Sequence, residues 1–492
     1  MRKKLALLTL SGFICFNCLA SNYYWNPNLM VSNNWSDLNN WFTTSGGSVN
    51  HTALPGPTDD VYFDVNTIEP VMTVDINAQC HSVIFTGPFS YAPGIYFSAS
   101  NVLEIYGSFY PDDNLELLFA ILLFKSTSPG NQIDLNAPSS AMWGLTVEFN
   151  GTGGEWTLID DAHVETGSLS IYEGKLFTNN YNVYTNSFGL YGNILREVYL
   201  GQSHIYTYDG GFLAYGSNYF VDADSAFIYL MEGPAMGLAG DNIHYHYVQT
   251  DTLAGVITIE GSNCEIDSMV NYGWPNTINM TGTIHNAQFF GGGNLSTAPA
   301  PYLFYDTLIL DNTVGWSWDG QYNYGCDSFF VNNVFQVNSG LADTITITEY
   351  IPSGFTNIIY LPNDTICLDY VKLKGSNARG SGNYYAGANS IDLGSNSNWA
   401  FIGCGMPIIT GLSIEAIDEL TVYPNPTNSI VTLSRIEKES VIEVINVLGE
   451  KIISVQSNNI SIDLDLSELE NGIYFVKVSS EKGMVTKRVV KQ

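Results

Sequence analysis

Positive charge is what this chain lacks most. Its 492 residues hold 17 lysines and arginines against 48 aspartates and glutamates, a formal net charge of −31. Three of the basic residues open the chain and eight lie beyond residue 420, so residues 21–420 carry six basic side chains against 39 acidic ones, a local charge of −33. Such a surface repels phosphate backbones and anionic polymers, which excludes nucleic acid as a natural partner. It also starves lyase chemistry of its base: only Lys125, Lys175, Arg196, Lys372, Lys374 and Arg379 are present, and they are scattered. Long apolar runs are missing as well. Leu5–Phe16 is shorter than the roughly 20 helical residues that span a bilayer, and Leu115–Phe124 is broken by Glu116. No helical period is sustained for more than two turns.

Reactive motifs are equally scarce. There is no Gly-x-Ser-x-Gly elbow, P-loop, EF-hand pattern or Gly-Gly-x-Gly-x-Asp repeat, and residues 21–420 lack the Gly-His-Gly and Arg-x-Lys of pectin hydrolases. Five cysteines follow residue 20 (Cys80, Cys264, Cys326, Cys367 and Cys404), with no Cys-x-x-Cys and no zinc spacing. An odd number leaves at least one free or paired outside the chain. The adjacent acids Asp59-Asp60, Asp112-Asp113 and Asp160-Asp161 point to opposite faces if they lie on strands, so none forms a hydrolase pair by adjacency; such pairs are usual in turns. His244-Tyr245-His246 puts two imidazoles on one strand face, but no third ligand stands at readable spacing, so no metal, catalytic or cofactor-binding residue is assigned. Loops rich in Asp and Asn leave weak calcium binding as an expectation.

Short β-forming runs are what the chain has in abundance. SVIFTG, VLEIYGS, LTVEFNG, SLSIYEGKLFT, GVITIEG and LILDN recur between Gly, Asn, Ser and Asp turns, with 31 Tyr and 25 Phe to fill a core. With 45% hydrophobic residues the chain is a folded one despite its charge. Runs this short, over about 380 residues without a clear boundary, predict an all-β solenoid, a right-handed parallel β-helix; an array of β-sandwiches is the alternative. The repeat is irregular and its period is not readable. Trp25, Trp35 and Trp41 are expected to cap the first coil, the competing role being a sugar-stacking platform.

The chain beyond residue 420 reads differently. Ile460, Ile462, Leu464 and Leu466 alternate with Ser461, Asp463 and Asp465, and Tyr474, Val476 and Val478 repeat the period, predicting strands with one buried face in a sandwich of about seven. Pro424 and Pro426 keep the entry segment extended, and Leu448-Gly449 and Asn471-Gly472 supply turns. Tyr423-Pro424-Asn425-Pro426, Asn446-Val447-Leu448-Gly449, Asp465-Leu466-Ser467 with Leu469, Asn471-Gly472-Ile473-Tyr474 and Lys487 follow in order. This series resembles the type A C-terminal sorting domain of the Bacteroidetes type IX secretion system. The resemblance implies export by that machinery, removal of residues 421–492 by a sortase-like protease, and attachment of the remainder to lipopolysaccharide at the cell surface.

At the other end, Arg2, Lys3 and Lys4, the apolar Leu5–Phe16 and Cys18-Leu19-Ala20 read as a signal peptide, residues 1–20. The expected organisation is then a body over 21–404, a linker over 405–420 and the sorting domain over 421–492. Within the body, the Trp-rich cap at 21–64 and the closing segment at 367–404 resemble the two ends of Bacteroidetes adhesin-like surface proteins. Cys367 and Cys404 bracket that closing segment, where a disulfide would staple the last coil; buried thiols are the other possibility. Asp224-Ser225-Ala226, Asp251-Thr252-Leu253, Asp267-Ser268-Met269, Asp306-Thr307-Leu308, Asp343-Thr344-Ile345 and Asp364-Thr365-Ile366 resemble the Bacteroidetes O-glycosylation acceptor, but an Asp turn entering a Thr-led strand spells the same tripeptide. The expected function is that of a secreted, surface-attached, adhesin-like protein contacting glycans or surfaces. A carbohydrate-active enzyme, either hydrolase or lyase, and a structural surface component are the alternatives.

Overall fold

The computed structural model describes residues 20–27, 32–98, 100–136, 142–231, 233–251, 254–273, 275–290, 292–296, 303–311, 321–324, 328–349, 357–360, 365–380, 382–404, 420–447, 450–480 and 483–492. The signal peptide up to residue 19, Cys326, the linker to residue 419 and Gly449 lie outside these. The chain forms two compact units, Met1–Gly403 and Cys404–Gln492. Among the described residues no helix is long and apolar enough to cross a membrane.

The first unit is a parallel β-solenoid of about 12 turns. One core column shows why the chain folds this way. Ala78, Leu103, Leu122, Val147, Leu169, Phe188, Phe212, Leu238, Ile259 and Ile278 pair in register, one per coil, and all are buried. Each full burial of such a side chain contributes about 1.5–3 kcal/mol. Coil length varies under this constant column: the step from Leu169 to its partner Phe188 is markedly shorter than the step from Phe212 to its partner Leu238. Turns absorb the difference, which is why no fixed period is legible.

Aromatic residues divide by their chemistry. Many phenylalanines stack inside, as in Phe63–Phe85 at 4.3 Å and Phe188–Phe212 at 5.1 Å, while Phe177 and Phe227 stack on outer rings. Tyrosines, expected to share that interior, mostly stack outside: His163, Tyr184, Tyr206 and Tyr229 form a column at 4.7–4.9 Å with rings within 11° of parallel. The hydroxyl favours this division, because a buried phenol needs a partner, as Tyr305 finds in the Leu295 carbonyl at 2.6 Å, and an outward one has water. Trp25, Trp35 and Trp41 are buried and packed edge to face, Trp41 lying 4.8 Å from each of the others. The Trp41 indole N–H donates to the Trp35 carbonyl at 2.8 Å, so none of the three presents a ring face to a sugar.

Arg196 is wholly buried, and among the described residues no carboxylate pairs with it. Its guanidinium donates to the carbonyls of Ile194 (2.9 Å), Ser217 (2.8 Å) and Tyr215. Burial lowers its pKa, and the three carbonyls supply the negative potential that holds the charge.

The second unit is a sandwich of antiparallel sheets. Three strands (Thr421–Tyr423, Ile430–Ser434, Ser461–Asp465) face four (Ser440–Asn446, Lys451–Ser457, Gly472–Ser480, Gly483–Lys491). Val431, Leu433 and Leu464 meet Ile442, Val444, Val476, Val478 and Val489 between them. Alternation puts Ile460 on the buried face, but it precedes the strand and is 68% exposed.

Two substitutions test this architecture by urea unfolding of the body. Phe188→Ala should cost about 3–5 kcal/mol, as for a large core truncation. Arg196→Met should cost about 1–3 kcal/mol for each carbonyl left buried without a donor.

Candidate functional site

The positions that sequence reasoning singled out are mostly structural. Asp59 accepts from the backbone N–H of Ser21 and Gly56 at 2.9 Å each, Asp60 meets His81 at 2.7 Å, and Asp112 accepts from the N–H of Asn114. Asp160 accepts from the N–H of Asp161, whose own carboxylate accepts from the N–H of Asn182 one coil on. The adjacent acids therefore close turns and tie coils. Cys80 and Cys264 are free, buried thiols with pKa values raised by burial, whereas Cys367 and Cys404 are both disulfide-bonded.

A different surface gathers the features of a binding site, and sequence reasoning missed it. It is the outward face of the coils built from Thr146–Leu158, Ala162–Phe177, Val183–Leu190 and His204–Ala214. Register aligns Glu148, Ser170, Gly189 and Leu213 across this face, with Leu169 and Phe188 pointing the other way into the core. On one side of that line the strands bend, with register shifts between Val164 and Ser168 and between Thr185 and Ser187. The bend opens a groove of about 360 Å³ lined by Gly144, Thr146, Thr166, Gly167, Ser168, Asn186, Ser187, Asp209 and Gly210. Small residues are obligatory there: a Cβ on Gly167 would stand 1.5 Å from the Leu145 carbonyl oxygen.

On the other side stands a tyrosine staircase. Tyr172 lies 6.0 Å from Tyr191 at 40°, and Tyr191 lies 6.4 Å from Tyr215 at 28°. Tyr191 leans back over Gly189, where a Cβ would meet its ring at 2.1 Å. These wide, tilted steps differ from the closed stack of Tyr184, Tyr206 and Tyr229, whose faces cover one another. Tyr215 is 44% exposed and donates to Glu260 at 2.9 Å; burial, then that carboxylate, pushes its hydroxyl up to about 12. Burial also raises the pKa of Glu148, which acts electrostatically on Tyr172. Groove and staircase occupy the two ends of the same strand segments, about 13 Å apart at the rise of a β-strand. The only signal available in the sequence was the repeated small-x-small-x-Tyr spelling in Ser168–Tyr172 and Ser187–Tyr191.

In the second unit, the motif residues brace the last strand. Both Tyr423-Pro424 and Asn425-Pro426 are cis. The Asn425 side chain donates to the Arg488 carbonyl at 2.6 Å and accepts from the Val490 N–H at 2.8 Å. Tyr474 donates to the Glu470 carbonyl at 3.0 Å, Gly472 begins its strand, and Lys487 pairs in register with Val476. Tyr423 is exposed.

The chain thus carries, after the solenoid, a two-sheet module braced at its C-terminal strand. Residues 421–492 match the family model described as a secretion system C-terminal sorting domain. This match supports the chain as a cargo of type IX secretion, exported to the cell surface or the surrounding medium. No curated protein matches the chain.

Peptide mapping without reductant is expected to recover Cys367 linked to Cys404. Cys80 and Cys264 should react with maleimide only after denaturation, since both thiols are buried and held protonated.

Proposed function

We propose that this protein is a surface-displayed, adhesin-like type IX cargo whose body contacts neutral glycans. The tail directs export through the secretion machinery and is removed by a sortase-like protease, and the body is then held by lipopolysaccharide. The observation that carries the glycan reading is the face described above, with tilted tyrosines beside a floor of serine and glycine. Half-open aromatic faces pack against sugar C–H groups, while Glu260, Asp209 and the groove hydroxyls and amide are acceptors and donors for sugar hydroxyls. The charge of the body selects against acidic polymers.

The purified chain should be retained on immobilised neutral polysaccharides and not on acidic ones, with calcium present or absent. Tyr191→Ala and Tyr215→Ala should each weaken retention about three- to tenfold, the value of one stacking contact. Release of new reducing ends that disappears in Glu148→Gln would replace this reading with a hydrolase. Equal retention of the tyrosine variants would move the contact elsewhere.

A further inference from the structure

Between Glu197 and Val371 the sequence contains no lysine or arginine. Histidine is therefore the only side chain on those coils able to carry positive charge, and the structure places three of the four along one seam. The buried residues Ala223, Tyr245, Ile266, Ile284, Tyr305 and Val331 pair in register from coil to coil. The residue following each is Asp224, His246, Asp267, His285, Asp306 and Asn332. Acid and imidazole thus alternate along one outer corner. His244 adds a cross-link, its Nδ1 lying 3.1 Å from Asp224 and its Nε2 2.9 Å from Asp267. The other oxygen of Asp267 meets His246 Nδ1 at 3.0 Å, His285 Nδ1 meets Asp306 at 2.6 Å, and Asn332 donates to Asp306 at 2.8 Å.

A neutral imidazole has one N–H and donates to one partner; only the imidazolium satisfies carboxylates at both nitrogens. His244 has both nitrogens so placed. We propose that this seam holds a proton-operated clamp: with His244 protonated its two nitrogens hold Asp224 and Asp267 and tie the coils on either side, and with His244 neutral one of those two carboxylates loses its hydrogen bond. The clamp also accounts for three of the recurring Asp-Ser/Thr-apolar tripeptides. In each, the Asp sits in the corner, the hydroxyl residue follows it outside the core, and Ala226, Met269 or Leu308 turns inward.

The charged groups facing His244 are Asp224 on Tyr219–Leu230 and Glu265 and Asp267 on Ala254–Asn271; Asp306 on Leu303–Asp311 faces His285. Burial opposes the charge of His244, but the Asp267 hydrogen bond and the field of these acids outweigh it and raise its pKa. Asp267 and Asp306 are correspondingly lowered: burial opposes this, but hydrogen bonds from His244 and His246, and from Asn332 and His285, prevail. The His244 contribution is complete below its unfolded value of about 6.5 and is lost as pH rises through the higher folded value. The aspartate contributions hold above about 3.9 and fail only in stronger acid.

The test is thermal unfolding of the full chain in EDTA, which removes divalent cations as a cause, at about pH 5.5 and about pH 8.5. The wild type should melt higher at the lower pH, and the combined variant His244→Gln, His246→Gln, His285→Gln should lose a measurable part of that difference, the pairs His81–Asp60 and His163–Glu165 outside the seam supplying the rest. The control His204→Gln, altering a ring stacked on Phe227 and outside the seam, should keep it. An undiminished difference in the combined variant overturns the proposal. Should that variant fail to fold, carbon-13 histidine titration of the wild type decides: a His244 midpoint above about 6.5 supports the clamp, and one at or below it refutes it.

Discussion

In-register stacking of parallel coils is the constraint on which the rest of this molecule depends. Each coil is too small to bury its apolar side chains alone, so its stability comes from the coils above and below. Stacking places every residue over a counterpart, and the sign of that contact follows from side-chain type. Aliphatic on aliphatic is favourable, and the column from Ala78 to Ile278 is built from it. Phenylalanine on phenylalanine and tyrosine on tyrosine add ring contacts at little conformational cost.

Carboxylate on carboxylate is the unfavourable case, and a chain this acidic meets it constantly. The structure relieves it in three ways. Turn acids such as Asp59 and Asp161 accept backbone N–H bonds. Outer glutamates accept tyrosine hydroxyls or share a lysine, as Lys175 stands between Glu155 and Glu197. Where no lysine exists, histidine is interleaved, giving the corner line of Asp224, His246, Asp267, His285 and Asp306. Scarcity of positive charge is thus solved residue by residue.

Much of this was legible beforehand. Short runs and turn residues are local signals, so strand content, the solenoid and the seven-strand tail could be read directly. The Tyr-Pro-Asn-Pro segment was legible as a motif, although its physical role, Asn425 bridging to the last strand, joins residues far apart in the chain. The candidate face was not legible, because its parts come from four coils whose lengths differ. Without register, Tyr172, Tyr191 and Tyr215 are simply three of 31 tyrosines. The same ignorance of register put tyrosines in the interior with the phenylalanines.

The sequence by itself determined the charge, the class of fold and the address, since composition, two-residue alternation and a contiguous motif need no knowledge of what lies across the core. Tertiary structure alone decided which acids meet which histidines, which tyrosines close on one another and which stay open. Those contacts depend on coil offsets that are unequal, short from Leu169 to Phe188 and long from Phe212 to Leu238. Each offset is set by how much chain its turns loop out, and no local pattern encodes that length.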